Sequence, residues 1–126
     1  MMWRLRLATA ALCLPAFAAI ADVRHATIPA ALRGTWALNA QGCSKSDSVI
    51  VLSEKRYSGP QGRCDVRWVI ESAGERGTIY SARLQCSGPE SGQPPPESDL
   101  ILMPSEGNQL SVGDDFDHLK SYQRCP

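Results

Sequence analysis

The sequence predicts an all-β protein, a small antiparallel up-and-down barrel of about eight strands that is stapled by disulfides. Three observations lead to this prediction: short runs of alternating apolar and polar residues, hairpin-length loops between most of them, and no long helical pattern. Evenly spaced short strands are typical of β-sandwiches and barrels. We favour the barrel because sequence neighbours can then pair throughout, and because closure hides the sheet edges.

The clearest element is a hairpin over residues 63–87, in which two runs of period 2 flank a glycine-containing turn. Pairing positions whose numbers sum to 150 predicts one apolar face: Cys64 opposite Cys86, Val66 opposite Leu84, Trp68 opposite Ala82, Ile70 opposite Tyr80, and Ser72 opposite Thr78. A slip of one residue would turn that face to water, so the pattern predicts the register. The loop is then 73–77, where Gly77 can take a positive φ.

The outer face of this hairpin carries charged residues. In the predicted register Arg67 faces Arg83, and like charges directly opposite each other destabilise a sheet. Asp65 and Glu71 lie on the same face of the same strand. We therefore expect one of these two carboxylates to separate the arginines.

Shorter runs predict the remaining strands. The first covers residues 34–38, with Trp36 and Leu38 on one face. Others are predicted over 48–53, 56–58 and 118–125, and a second hairpin pairs Leu102 with Leu110 and Leu100 with Val112 around the loop 105–107. The connection between the hairpins is rich in Pro, Gly and Ser, which favours an extended coil without a function of its own.

The segment ahead of the first strand is predicted to lack β-structure. Residues 22–27 have no alternating apolar pattern, and we interpret His25 as a solvated tail residue. Pro29 can open a single helical turn that ends at Leu32. We expect removal of residues 22–27 to leave folding intact.

The N-terminal residues have the pattern of a secretory signal peptide. Arg4 and Arg6 precede an apolar run that ends in a small-x-small cleavage site at Ala21. The run is short for a transmembrane helix, although a retained anchor is the alternative. We therefore divide the chain into a signal peptide, 1–21, and a single β-barrel domain, 22–126, and expect the mature protein to be periplasmic or secreted.

The charge of the mature chain argues against two classes of partner. Removing residues 1–21 takes two arginines from the 13 Lys and Arg, which leaves 11 against 13 Asp and Glu, a formal charge of −2. The sequence contains no cluster of basic residues, and nucleic-acid binding needs such clusters to neutralise phosphates. The same argument predicts no electrostatic binding to a membrane after cleavage.

The cysteines predict disulfide cross-links. With Cys13 inside the signal peptide, the mature chain keeps Cys43, Cys64, Cys86 and Cys125, an even number that predicts two disulfides in a small exported domain. A zinc site is the weaker interpretation, because the spacings of 21, 22 and 39 residues contain no close ligand pair. Three pairings are possible. The hairpin register favours Cys64 with Cys86, which would leave Cys43 with Cys125.

Motifs for catalysis are scarce. The sequence contains no G-x-S-x-G, H-E-x-x-H or Gly-rich phosphate loop, and bonded cysteines offer no nucleophilic thiol. Asp114, Asp115, Asp117 and His118 form the one cluster of potential metal ligands. The cluster lacks the length and the distal Glu of an EF-hand loop, so we interpret it as a solvated acidic turn. We therefore expect no enzyme activity, no catalytic residues, no bound metal and no cofactor.

Two resemblances follow from the first strand. Gly34-Thr35-Trp36 resembles the G-x-W of lipocalins and other small antiparallel barrels. This resemblance implies that Trp36 plugs one end of the barrel. Gly34 and Trp36 are therefore candidate structural residues, together with the bulky Trp68 and Tyr80 of the hairpin. As a whole, the chain is similar to small exported cysteine-containing proteobacterial proteins of unknown function.

The same motif followed by Cys43 and Cys64 is similar to periplasmic inhibitors of serralysin-type metalloproteases, which are small eight-stranded barrels with one disulfide. The likeness covers about the first third of the mature chain. It implies a Cys43–Cys64 bridge and an N-terminal tail, here 22–25, that enters the protease cleft. Cys86 and Cys125 depart from that family's pattern.

These observations predict an exported, non-enzymatic β-barrel that acts as a binding or interaction module. An eight-stranded barrel is near the size at which side chains fill the interior or leave room for one small ligand. Because Trp36, Tyr57, Trp68 and Tyr80 are bulky, we expect a mostly filled interior. The partner is unknown, and a small apolar ligand and a protease are the candidates. A metalloprotease inhibitor that acts through its tail and a structural envelope protein are the alternative functions.

Overall fold

The computed structural model describes residues 9–13, 22–60, 62–87 and 96–126. Most of the predicted signal peptide and most of the proline-rich connection lie outside the described residues. No helix within the described ranges is long and apolar enough to cross a membrane.

Nine strands and three 3-10 helices make up the regular structure of the described residues. The strands are β1 (Val23–His25), β2 (Gly34–Ala37), β3 (Val49–Leu52), β4 (Arg56–Gly59), β5 (Gly62–Gly74), β6 (Gly77–Cys86), β7 (Glu97–Ser105), β8 (Gln109–Gly113) and β9 (Lys120–Arg124). The 3-10 helices are Ala30–Leu32, Ala40–Ser44 and Phe116–His118.

Strands β2 to β9 form a closed antiparallel barrel. Each of these strands pairs with its neighbour in sequence, and β9 returns to pair with β2. The prediction of an eight-stranded up-and-down barrel is therefore confirmed. Two residue pairs join β2 to β9 at this seam, Trp36 with Arg124 and Ala37 with Gln123.

Strand β1 is an additional strand that the sequence did not predict. It pairs with the second half of β5, with Val23 opposite Glu71 and His25 opposite Val69. The Nε2 atom of His25 lies 3.2 Å from Oε1 of Glu71. The interpretation of His25 as a solvated tail residue was therefore wrong. Backbone pairing with an exposed strand edge needs no alternating apolar pattern, so no such pattern marks β1 in the sequence.

A β-bulge in β5 overturns half of the predicted hairpin register. Cys64 pairs with Cys86 and Val66 with Leu84 as predicted, but the register shifts between Val66 and Trp68. A bulge inserts one extra residue, so every side chain beyond it points to the opposite face. It also bends the strand, and β5 is 13 residues long and has to curve around the barrel.

Beyond the bulge, the predicted place of Trp68 in the core was wrong. Val69 opposes Ala82 and is fully buried, whereas Trp68 opposes Arg83 on the outer face. The guanidinium carbon of Arg24 from β1 lies 4.3 Å from the Trp68 ring centroid, so the indole packs against a cation. The bulge thus brings a β-branched residue inward and leaves the much larger indole outside.

The remaining pairs of this hairpin shift in the same way. Tyr80 opposes Glu71 and not Ile70, and Gly74 pairs with Gly77. The connection is therefore shorter than the predicted loop 73–77. Gly77 has φ +127°, which agrees with the expected positive φ at this position.

The acids that separate Arg67 from Arg83 come from a third strand. Arg83 donates to Glu97 and Asp99 of β7, at 3.1 Å in both cases, and Nε of Arg67 lies 4.0 Å from Glu97. The expectation that Asp65 or Glu71 would intervene was wrong. The hairpin alone could not reveal these partners, because β7 follows a long connection.

The second hairpin keeps its predicted faces but shifts its turn by one residue. Leu102 pairs with Val112 and Pro104 with Leu110, around the three-residue turn 106–108. Both Gly107 and Asn108 have positive φ, at +75° and +57°. Asn tolerates this conformation better than most residues, so the turn extends to it. Each residue of β7 pairs with a position two residues later in β8 than predicted, so the side chains keep their predicted orientation.

Both disulfides predicted from the hairpin register are present. Cys64 bonds Cys86 with Cα atoms 3.8 Å apart, and Cys43 bonds Cys125 with Cα atoms 5.6 Å apart. The Cys43–Cys64 bridge that the inhibitor resemblance implied is not formed. Since Cys125 donates its backbone N–H to Thr35 of β2, the Cys43–Cys125 bond lies beside the barrel seam.

One end of the barrel, called the closed end below, is filled by Trp36 and the residues that precede β2. Trp36 is only 2% exposed, and its Nε1 donates to the carbonyl oxygen of Leu32 at 3.1 Å. Ile28 and Leu32 are buried in the same core cluster. This is the position that the resemblance implied for Trp36.

Arg124 from the last strand completes the closed end. Its guanidinium carbon lies 4.3 Å from the Trp36 ring centroid, and its nitrogens donate to the carbonyls of Arg33 and Ala31 at 2.7 and 2.6 Å. A Cβ atom on Gly34 would come within 2.8 Å of Nη1 of Arg124, and Gly34 has φ +134°. The glycine of the G-x-W motif thus makes room for the arginine.

Candidate functional site

A cavity of about 360 Å³ lies at the other end of the barrel, called the open end below. It is enclosed by β4, β7, β8, β9 and the loop that follows β8. The lining residues are Tyr57, Pro60, Leu100, Val112, Gly113, Asp114, His118, Lys120 and Tyr122. The expectation of a mostly filled interior therefore holds for the closed end and not for the open end.

The alternation of β9 places its polar side chains in the cavity. Lys120, Tyr122 and Arg124 lie on one face of the strand because successive side chains of a strand point to opposite sides. Arg124 contacts Trp36 at the closed end, and Tyr122 and Lys120 follow in order towards the open end. One strand thus supplies both the cap of the filled end and part of the wall of the cavity.

The apolar part of the cavity comes from β7 and β8. Leu100 and Val112 are each 5% exposed and belong to the core cluster that extends towards Leu102 and Leu110. These side chains form the inner surface of the cavity. A ligand that enters from the open end would therefore meet an apolar surface at its inner side and polar groups nearer the solvent.

Tyr57 occupies space that a glycine leaves free. A Cβ atom on Gly59 would lie 2.5 Å from the hydroxyl oxygen of Tyr57 and 2.9 Å from its Cζ. The two residues alternate onto one face of β4, so the phenol ring lies over the glycine. Tyr57 also pairs with Cys64, which places the Cys64–Cys86 disulfide next to the cavity.

The two cavity tyrosines stay protonated well above neutral pH. Burial raises the pKa of Tyr57 above 10.0, and the neighbouring Tyr122 and Asp114 raise it further. Burial also raises the pKa of Tyr122. Among the described residues neither hydroxyl has a hydrogen-bond partner. Both phenols can therefore donate a hydrogen bond to a ligand.

The loop after β8 presents His118 at the open end. Nδ1 of His118 lies 2.7 and 2.9 Å from the two carboxylate oxygens of Asp115. Asp115 also caps the third 3-10 helix by accepting the N–H of Asp117 at 2.9 Å. The bond to His118 is the main cause that lowers the pKa of Asp115. With Nδ1 engaged, Nε2 is the ring nitrogen that remains for a ligand.

The acidic run forms a turn that leads into the third 3-10 helix. Asp114 lines the cavity, whereas Asp115 turns to the helix N-terminus and to His118. Within the described ranges no group of three or more His, Cys, Asp or Glu side chains is arranged to hold a metal ion. The hydrogen bonding of Asp115 follows the turn chemistry expected for Asp.

The predicted structural residues lie away from the cavity. Gly34 and Trp36 belong to the closed end, and Trp68 is on the outer face. Tyr80 packs against the core, and its burial, followed by the negative charge of the neighbouring Glu71, raises its pKa. Glu71 also contacts His25, so these three side chains form a separate group near β1.

Sequence reasoning missed the main polar wall of the cavity. The alternation Lys120-x-Tyr122-x-Arg124 predicts that these three side chains lie on one face of the last strand, and this face could have been recognised as the inward one. Polar residues on an inward face are unusual in a filled barrel and indicate a cavity or a buried partner.

No known protein family, no curated protein and no solved structure matches this chain. The fold and the cavity therefore rest on the chain's own geometry.

Proposed function

We propose that the protein is an exported, non-enzymatic β-barrel module that binds one small molecule in the cavity at the open end. The observation that carries this proposal is the contrast within one barrel interior: the closed end is filled, and the open end holds about 360 Å³ of space. Cavities of roughly 300–1,000 Å³ with an apolar lining and a few polar groups are typical of small-molecule sites.

The composition of the lining supports binding without a reaction. Its described residues include no serine, threonine or free cysteine that could act as a nucleophile next to His118. The polar groups are distributed around the cavity, as expected for groups that orient a ligand. The volume, near the lower limit for such sites, favours a ligand of modest size.

Export is the part of the proposal that concerns location. Four cysteines in two disulfides are typical of proteins that fold in the periplasm or outside the cell. The basic, apolar and small-residue pattern of residues 1–21 supports the same location. Mass spectrometry of the envelope fraction should find a mature chain that begins at Asp22. Intact Met1 in a cytoplasmic fraction would contradict export.

Inhibition of a metalloprotease through the N-terminal tail is the alternative. Residues Val23–His25 are paired with β5, so this mechanism requires β1 to leave the sheet before it enters a protease. Failure of the mature protein to slow a panel of secreted metalloproteases at micromolar concentration would exclude this alternative.

The binding proposal can be tested by filling the cavity. A ligand present at 100 times its Kd stabilises a protein by about 2.7 kcal/mol, which thermal unfolding detects readily. We expect compounds from a small-molecule library to raise the Tm of the wild-type chain, and Leu100→Trp to abolish this shift because the indole would occupy the cavity. Leu38→Trp is the matched control, since Leu38 is 51% exposed and does not line the cavity.

The outcome separates cavity binding from surface binding. Equal ligand shifts in both variants, with both folded by circular dichroism, would contradict the cavity as the site. If no compound in the library stabilises the wild-type chain, the binding function itself is contradicted.

A further inference from the structure

We propose that the cavity selects a small organic carboxylate, with the anionic group near Lys120 and His118 and an apolar body against Leu100 and Val112. This inference rests on the proposed binding function and assigns its ligand class. It depends on which groups line the cavity, where they lie and how they are charged.

The first argument is the sign of the charge on β9. Lys120 lines the cavity and carries a positive charge, and among the described residues it has no ion-pair or hydrogen-bond partner. Three other described basic side chains, Arg56, Arg67 and Arg83, are already engaged in ion pairs with Asp or Glu. Lys120 is thus available to a ligand carboxylate, which it can bind through a charge-assisted hydrogen bond.

The second argument is the supply of hydrogen-bond donors. The raised pKa values of Tyr57 and Tyr122 keep both hydroxyls protonated at neutral pH. When His118 is protonated, its Nε2 is a further donor, because Nδ1 is occupied by Asp115. A carboxylate has about four acceptor sites on two oxygens, so it can use several of these donors together.

The third argument is the position of the one acidic residue among the described lining residues. Asp114 lies near enough to Tyr57 to raise the pKa of that phenol. A ligand anion would be repelled from this side of the cavity. Asp114 therefore orients the anionic group towards Lys120, and at the same time it weakens binding of the anion.

The fourth argument is the apolar inner surface. Leu100 and Val112 present hydrocarbon to any group that extends inward from the carboxylate. Burial of apolar area is favourable, so an aliphatic or aromatic body adds affinity that a bare inorganic anion lacks. The site thus fits an amphipathic anion better than phosphate, sulfate or an uncharged sugar.

Matched acid and amide pairs test the charge preference. The probes are phenylpropionate with phenylpropionamide and hexanoate with hexanamide, titrated calorimetrically into the oxidised mature chain. Each pair shares its apolar body and differs in charge. We expect each carboxylate to bind about tenfold more tightly than its amide, which corresponds to about 1.4 kcal/mol.

Three variants locate the preference on the proposed residues. Lys120→Met should remove most of the difference between acid and amide, because the amide does not depend on the positive charge. Asp114→Asn should tighten carboxylate binding several-fold and leave the amide unchanged. Lys55→Met is the control, since Lys55 lies in the turn between β3 and β4 at the closed end.

The outcomes distinguish this inference from the function on which it rests. Equal affinity of acid and amide, lost together in Leu100→Trp, would overturn the carboxylate preference and support the binding function. Binding of neither form would overturn the inference, and the library screen then decides the function independently. A preference that survives Lys120→Met would overturn the assigned role of Lys120.

Discussion

The two ends of this barrel use similar side chains for different purposes. At the closed end, Trp36 is almost fully buried, and Arg124 donates to two backbone carbonyls while it covers the indole. At the open end, Tyr57 and Tyr122 are partly exposed, and Lys120 has no partner among the described residues. Arg124 and Lys120 occupy the same face of one strand, four residues apart.

If the proposed binding function is correct, this difference divides stability and binding between the two ends of the molecule. A buried polar group must be hydrogen-bonded, or its desolvation destabilises the fold. The closed end meets this requirement with protein atoms and is expected to contribute most to stability. At the open end Tyr57, Lys120 and Tyr122 have no protein hydrogen-bond partner among the described residues, so solvent or a ligand can satisfy them. Substitutions at the two ends should therefore differ sharply in their effect on the free energy of unfolding.

The largest expected effect is loss of the disulfide beside the seam. Cys43–Cys125 spans 82 residues, and its removal should lower the free energy of unfolding by about 4.5 kcal/mol on chain-entropy grounds. Cys64–Cys86, beside the cavity, spans 22 residues and should account for about 3.4 kcal/mol. Urea denaturation of the two paired Cys→Ala variants measures both values. A larger loss for Cys64→Ala with Cys86→Ala would show that local packing dominates over loop length.

The second prediction compares the aromatic residues of the two ends. Trp36→Ala should lower the free energy of unfolding by roughly 3–5 kcal/mol, the range for deleting a buried aromatic side chain. The same substitution removes the indole ring against which the Arg124 guanidinium packs. Tyr122→Phe at the open end should change stability by less than about 0.5 kcal/mol, because no protein hydrogen bond of its hydroxyl is lost in the described part of the chain. Comparable losses in urea denaturation would contradict the division of roles.

A pair of glycines isolates the contribution of Arg124. Gly34 and Gly62 have similar φ angles, +134° and +121°, so alanine is strained at both positions by about 1–3 kcal/mol. Only at Gly34 would the new Cβ approach Arg124, since no atom of the described residues, apart from the glycine's chain neighbours, lies within 4 Å of the corresponding point at Gly62. Gly34→Ala should therefore destabilise the protein by about 1 kcal/mol more than Gly62→Ala, the magnitude of one weakened hydrogen bond. Equal thermal shifts would show that Arg124 adapts without loss.

The smallest effect concerns the titration of tyrosine. All three tyrosines have raised pKa values, each because of burial first. A raised pKa means that the folded state keeps its proton where the unfolded chain releases it, at about pH 10. Relative to the unfolded chain, the folded state therefore keeps the full stabilising contribution of these tyrosines below about pH 10. It loses this contribution as the pH rises from about 10 through the pKa values of the folded state. Ultraviolet absorbance of the phenolate should show every tyrosine titrating later than in guanidinium, and one that titrates alike in both would contradict its burial.

The sequence predicted the parts of the fold that depend on local alternation. The outer pairs of the central hairpin, the Cys64–Cys86 bond and the inward faces of β7 and β8 follow from period 2 alone. Trp68 was misplaced because a bulge has no clear sequence signal, and a single extra residue reverses every later position. β1 was missed because residues Val23–His25 form a strand only by pairing with the edge of β5, which is distant in sequence.

The candidate site was only partly predictable for a related reason. The acidic turn that contains Asp114 and His118 was visible in the sequence, but its chemistry depends on what the barrel brings next to it. Tyr57 and Lys120 are 63 positions apart and meet only because closure places β4, β8 and β9 around one space. Gly59 explains the position of the Tyr57 ring, and this contact becomes evident only in three dimensions.

The most direct test of the difference between the two ends is a methyl-resolved NMR titration of the oxidised chain with phenylpropionate. The methyl resonances of Leu100 and Val112 report on the open end, and those of Ile28 and Leu52 report on the closed end. We predict saturable shifts for Leu100 and Val112, with Ile28 and Leu52 unchanged. Shifts centred on Ile28 and Leu52, or no saturable shift at either end, would contradict an open end that binds and a closed end that only stabilises.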